Sequence, residues 1–206
     1  SLSPKIHEAI YIIAIALLLI SLPVAKFMMS VSQIVLLVNW LWEGDLKNKF
    51  KTFFKNKPAL ILSSILLMHA LGLFYSSDLN YGLNDIRIKL PLALLPLIFS
   101  TSKPISTEVF KSILQLFLGS MFVASIISVL ILTDIGIHRK VVDIRDISIF
   151  ISHIRFGLLI SVSIFIAFYL VSQSSKTLLK LIYVAYIIWQ LVFLVILESI
   201  TGLSAL

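Results

Sequence analysis

The side chains able to do chemistry are few: four arginines, four histidines and ten acidic residues, with no cysteine. Three of the arginines, Arg139, Arg145 and Arg155, fall in one polar segment, residues 134–155, which reads DIGIHRKVVDIRDISIFISHIR. A guanidinium is a planar fork of donors suited to phosphate or carboxylate. At 100° per residue from Ile144 onward, Ile144, Ile147, Phe150, Ile151 and Ile154 fall within about 120°. Arg145, Ser148, Ser152 and Arg155 fall within about 80° elsewhere on the same wheel. This predicts an amphipathic helix of the kind that lies on, or enters, a membrane surface. Two readings stand for its polar stripe: a pair of guanidinium groups offered to an anion, with hydroxyls beside them, or an interfacial helix whose arginines touch lipid phosphates. His153 lies two residues before Arg155, on a different side of a regular helix, so the two share a ligand only if the helix begins or breaks between them. Histidine exchanges protons near neutral pH, and the plainer role is a hydrogen-bonded boundary residue.

Other candidates are scattered. His69 falls inside a long apolar run, where an ionisable group is a functional candidate by default, or a neutral histidine bonded to a neighbouring helix. Glu198 closes the last apolar run and faces either a cleft or bulk water. Asp78, Asp85, Arg87 and Lys89 cluster before a proline-broken stretch, with Asp85 and Arg87 placed for an exposed ion pair of small energetic consequence. Backbone groups freed by proline at membrane depth are tolerated where they line a cavity, so a binding site beneath this loop is expected. No metal or cofactor site is expected: there is no phosphate loop, no glycine-rich dinucleotide turn, and no cluster of His, Asp or Glu at ligand spacing.

The elements that must position these residues follow from composition. Of 206 residues, 59% are hydrophobic and 13% charged, against about half and a quarter in a globular chain. Lipid is the solvent that such a balance fits. A net charge of +7 would suit nucleic acid only if it gathered on one solvated face. Instead the basic residues are parcelled between seven uncharged runs, and no nucleic-acid partner is expected. The predicted spans lie near 9–25, 27–42, 58–77, 86–102, 112–133, 156–175 and 181–197. About 20 apolar residues cross a ~30 Å hydrocarbon core. The first two form a hairpin around Pro23 to Lys26, and the fourth, carrying Pro91 and Pro96, is short and needs Ile86 and Ile88 to lengthen it. The fold class is therefore all-α: a polytopic transmembrane bundle of about seven spans with an external interfacial helix, one helical domain over 1–206. Serine at position one and a fresh apolar stretch at 201–206 suggest the N-terminal part of a longer protein, with an eighth helix beyond.

With the N-terminus inside, the inner segments hold ten of the thirteen lysines, half of them in GDLKNKFKTFFKNKP, and the outer segments hold all four arginines. The lysine bias follows the positive-inside rule. Lysine marks topology, Lys26 included, and arginine marks chemistry. The alternation of lysine with Phe50, Phe53 and Phe54 reads as an anchor for anionic headgroups and the interface.

NWLWEG before the lysine-rich loop, RIKLPLALLPLIF, SHIRFGLLISVSI and ESITGLSAL together resemble the N-terminal half of the O-antigen ligase and polymerase superfamily of bacterial membrane proteins. That resemblance implies a multi-pass protein of the bacterial inner membrane, acting in lipopolysaccharide and cell-envelope biosynthesis. It implies metal-independent, inverting glycosyl transfer at the periplasmic face, from an undecaprenyl-pyrophosphate carrier to a lipid A core acceptor. It also implies a second half bearing a large periplasmic loop, without which these residues are inactive alone. The family's Ser-Arg-Gly-like turn has Thr201, Gly202, Leu203 and Ser204 here, which leaves Arg155 as the nearest equivalent of its arginine. The expected pyrophosphate ligands are Arg155, then Arg145 and Arg87, with His153 orienting the segment and the catalytic residues unassigned. An O-antigen polymerase and a non-enzymatic transport or assembly subunit are the alternatives.

Overall fold

The computed structural model describes residues 3–133, 135, 148, 150–197, 202 and 204–206. Among these there is no strand, and the helices are α1 (Pro4–Ser21), α2 (Lys26–Trp42), α3 (Leu46–Lys55), α4 (Lys57–Gly72), α5 (Leu79–Lys89), α6 (Pro91–Thr101), α7 (Thr107–Leu132), α8 (His153–Gln173) and α9 (Thr177–Ile196). A 3-10 turn, Leu73–Tyr75, extends α4. Five of them, α1, α4 with its turn, α7, α8 and α9, are long and apolar enough to cross a membrane. A multi-pass membrane protein is the class these helices define. Helix α2 is as apolar in character but has 17 residues, a rise of about 26 Å against a core of ~30 Å.

The fourth expected span is two helices. Pro91 restarts the chain at the head of α6, where a missing N–H costs nothing, and α6 rises only about 16 Å. Helix α5, capped by the Asp78 side chain on the Tyr81 N–H at 3.0 Å, is largely polar and carries Arg87 and Lys89 in its last turn. The interfacial helix expected from Ile144 lies mostly outside the described residues, as do Arg139, Arg145 and Glu198. Ser148 and residues 150–152 are not helical, and the helix begins at His153.

The chain forms two compact units, Ser1–Ala14 with Val31–Ile105, and Ile15–Ser30 with Ser106–Leu206. In the first, α1 and α2 are tied by a buried pair. The His7 imidazole Nδ1 donates to Asn39 Oδ1 at 2.8 Å and Asn39 Nδ2 donates to the His7 carbonyl at 3.1 Å. Trp40 Nε1 donates to Thr101 Oγ1 at 2.7 Å and so links α2 to α6. After α2 the chain reverses through Gly44 (φ 77°) and Asp45 (φ 54°), the left-handed region that glycine enters freely and aspartate tolerates. The reversal lets Lys49 on α3 donate to the Trp40 carbonyl at 2.7 Å, pair with Glu43 at 2.8 Å and sit 4.9 Å over the Trp40 ring. Lys49 and Phe53, four residues apart, are therefore the buried face of α3, while Lys47, Lys51, Lys55, Phe50 and Phe54 are exposed. Within the lysine-rich loop Lys49 and Phe53 therefore hold α3 in place rather than standing free to meet lipid.

In the second unit, α8 presents Phe156, Ile160, Ile164, Ala167 and Leu170 at helical spacing to a core shared with Phe117, Met121 and Ala124 of α7 and Ile187, Phe193 and Leu194 of α9. Small residues bring the backbones close, and the buried hydroxyls of Ser125, Ser128 and Ser163 bond to carbonyls of their own helices. Gln190 is fully buried in this core, where its amide neighbours the Tyr186 hydroxyl but makes no well-formed hydrogen bond among the described residues. Outward, many large apolar side chains are bare, among them Phe74, Ile61, Phe168 and Val195, which is the surface a lipid solvent requires.

Candidate functional site

The head of α8 is built by three local features. Ser152 leaves extended backbone (φ −60°, ψ 143°) for helix at His153. Phe156, 2% exposed, wedges against Phe193 with ring centroids 5.5 Å apart, and this pins the first turn of α8 to α9. The third is a close approach of two glycines. Ser161 Oγ donates to the Gly202 carbonyl at 2.7 Å, and a methyl placed on Gly202 would lie 3.0 Å from the backbone of Gly157. Gly202 therefore docks onto the first turns of α8, so one residue from each of two segments quoted for the family resemblance meets the other in space.

Arg155 lies one residue before Phe156, on the outside of this joint, exposed and without an ion-pair partner among the described residues. It lines a cavity of about 300 Å³ in the second unit, together with Lys26, Leu22 and Met29 of the first hairpin and Ile151, Leu158, Leu159 and Val162. The hairpin reaches α8 because its turn is tight. The Val24 and Ala25 N–H groups both donate to the Ser21 carbonyl, at 3.1 and 2.9 Å, and Leu22 and Val24 pack against the α7–α8–α9 core. A cation pair on apolar walls, with no carboxylate among the described lining residues, can hold an anionic group that carries a hydrocarbon chain.

The other candidates from sequence divide as follows. His153 and Arg155 share the first turn of α8, but the helix starts at His153 rather than between the two, and His153 does not line the cavity. Arg145 lies outside the described residues. Arg87 is exposed on α5, in the first unit. Its expected partner is taken, because Asp85 pairs with Lys89 at 2.6 Å, the i,i+4 neighbour on the same face. A cavity of about 370 Å³ does lie beneath this loop, lined by His69, Ser76, Tyr81 and Asp85 among others, and Arg87 is not part of it. His69 bonds to the Ile65 carbonyl of its own helix at 2.7 Å rather than to a neighbouring one. Among the described residues no three His, Asp or Glu side chains converge as metal ligands would.

Sequence reasoning missed Lys26, which it read as topology. The available signal was position: Lys26 opens α2 directly after the hairpin turn, on the same expected side as Arg155. It also missed the His7–Asn39 and Lys49–Trp40 ties, which depend on backbone reversals that hydropathy does not report. Comparison with models of known protein families, with curated proteins and with solved structures finds no match.

Proposed function

We propose that this is an O-antigen ligase-like protein of the bacterial inner membrane, moving a glycan from undecaprenyl pyrophosphate to a lipid A core acceptor at the periplasmic face. In this reading the N-terminus is cytoplasmic, α2 and the α5–α6 pair complete seven crossings, and the head of α8 lies outside. Arg155 binds the donor's pyrophosphate, with Arg145 and Arg87 as weaker ligands and His153 orienting the segment.

The observation that carries this is Arg155 itself: a guanidinium with no ion-pair partner among the described residues, in the first turn of a long apolar helix, lining an apolar-walled cavity. Outside the cytoplasm there are no nucleotide sugars, so an activated lipid-linked donor is required. As the acceptor hydroxyl oxygen bonds to the anomeric carbon and releases its proton to water, the bond from that carbon to the pyrophosphate oxygen breaks and its electron pair leaves with the pyrophosphate. A guanidinium placed at that oxygen stabilises the charge as it develops. The docking of Gly202 on α8 supports the same reading, since it gives the segment a fixed backbone.

The test is glycan display in cells that depend on the intact protein. Removing one charge-stabilising donor costs about 10²- to 10³-fold in rate, so Arg155→Ala should strip the surface of ligated glycan at equal membrane expression. Arg155→Lys should fail nearly as badly, because a point charge does not reproduce a fork. Transfer within a few-fold of the parent in Arg155→Ala would reduce this arginine to a lipid-headgroup anchor.

A further inference from the structure

Lys26 is the first residue of α2 and Arg155 the third of α8. Each cation thus sits in the first turn of its helix, where unbonded N–H groups and the helix dipole add positive potential. Both residues line one cavity, and among the described residues no carboxylate lines it with them and neither has an ion-pair partner. The other described lining residues are apolar. Leu158 and Val162 follow Arg155 at i+3 and i+7, a single stripe of α8, and Leu22 and Met29 contribute from the hairpin. A free inorganic anion would gain from the cations and nothing from the walls. A lipid with a phosphate headgroup is complementary to both, and the stripe runs on from the cation as a tail runs on from its head.

We propose that Lys26 and Arg155 jointly clamp the phosphate of a membrane lipid whose hydrocarbon chain occupies the cavity between α8 and the α1–α2 hairpin. This rests on the reading of Arg155 as a phosphate ligand and adds to it a second cation and a tail site. The hairpin becomes half of the headgroup site rather than a membrane anchor alone.

The experiment uses the intact protein in phosphatidylcholine nanodiscs, with dioleoyl phosphatidic acid as the probe and native mass spectrometry as the readout. Phosphatidic acid should be retained in preference to phosphatidylcholine, and inorganic phosphate at the same concentration should not displace it. Lys26→Ala should weaken retention at least about tenfold, the loss of one charge-assisted bond, whereas Lys26→Arg keeps it and Lys176→Ala, at the other end of the helices, leaves it unchanged. Adding Arg155→Ala to Lys26→Ala should cost less than the product of the two single losses, because both act on one group. Val162→Trp should fill the tail site and lower retention with both cations present; if that variant does not fold, the exposed Lys26 substitutions still decide. Retention unaffected by Lys26→Ala, or full displacement by inorganic phosphate, overturns the proposal. The assay needs no glycan and no acceptor. Lys26-dependent lipid binding without glycan transfer would sink only the enzymatic reading, and transfer with Lys26-independent binding would sink only this one.

Discussion

A single methyl group at Gly202 should loosen the joint that holds the head of α8. Its Cβ would lie 2.6 Å from Leu194 Cδ1 and 3.0 Å from both the Cα and carbonyl carbon of Gly157. Ordinary carbon contacts are about 3.5–4.0 Å, so the turn must retreat by several tenths of an ångström. Leu194 has no room to swing aside, being fully buried, and the Gly157 contact is backbone. Retreat also stretches the 2.7 Å bond from Ser161 Oγ to the Gly202 carbonyl. Overpacking of this kind costs about 1–3 kcal/mol, and in a chain of this size each kcal/mol moves the melting midpoint by roughly 2–4 °C. Gly202→Ala should therefore melt several degrees below the parent in detergent, followed by circular dichroism. Gly119→Ala is the matched control, because an added methyl there meets nothing within 4 Å. If the two variants melt together, at or above the parent temperature, the glycine joint does not hold α8.

Three further outcomes are expected. Cysteines replacing Lys51 and Arg139 should be labelled by an impermeant thiol reagent from opposite sides of the membrane, and labelling from one side would remove the topology. Lys49→Ala should destabilise by about 1–3 kcal/mol, because it orphans the Trp40 carbonyl and strips Glu43 of its partner. Lys51→Ala, on the exposed face, should stay within about 0.5 kcal/mol on the same melting curve. Gln190→Leu should raise the midpoint, since it removes a buried amide that lacks a well-formed hydrogen bond, at similar volume; a lowered midpoint would mean that the amide is held by the Tyr186 hydroxyl or by another partner in the membrane.

The long helices could be read from the sequence because lipid leaves a plain signature: α1, α4, α7, α8 and α9 each contain an uncharged run that the hydropathy pattern finds without reference to neighbours. The run at 86–102 misled for a local reason. Ile86 and Ile88 alternate with Asp85, Arg87 and Lys89, so they continue the polar helix α5, and Pro91 opens a separate short one. That Arg155 is suited to an anion is legible in its side-chain type, but its company is not. Lys26 reaches the same cavity only because a four-residue turn folds α2 back and Leu22 and Val24 bury against the second unit's core. Lys49 shows the converse. It counts as one more inner lysine until two residues at positive φ turn α3 toward Trp40.

The most direct measurement reconstitutes the intact protein with a radiolabelled glycan on undecaprenyl pyrophosphate and a lipid A core acceptor, without metal or nucleotide. The account predicts label moving to the lipid A core and free undecaprenyl pyrophosphate accumulating in equal amount, with the rate down about 10²- to 10³-fold in Arg155→Ala. Label that stays on the carrier while the folded protein binds it, or a transfer rate indifferent to Arg155, would contradict the account.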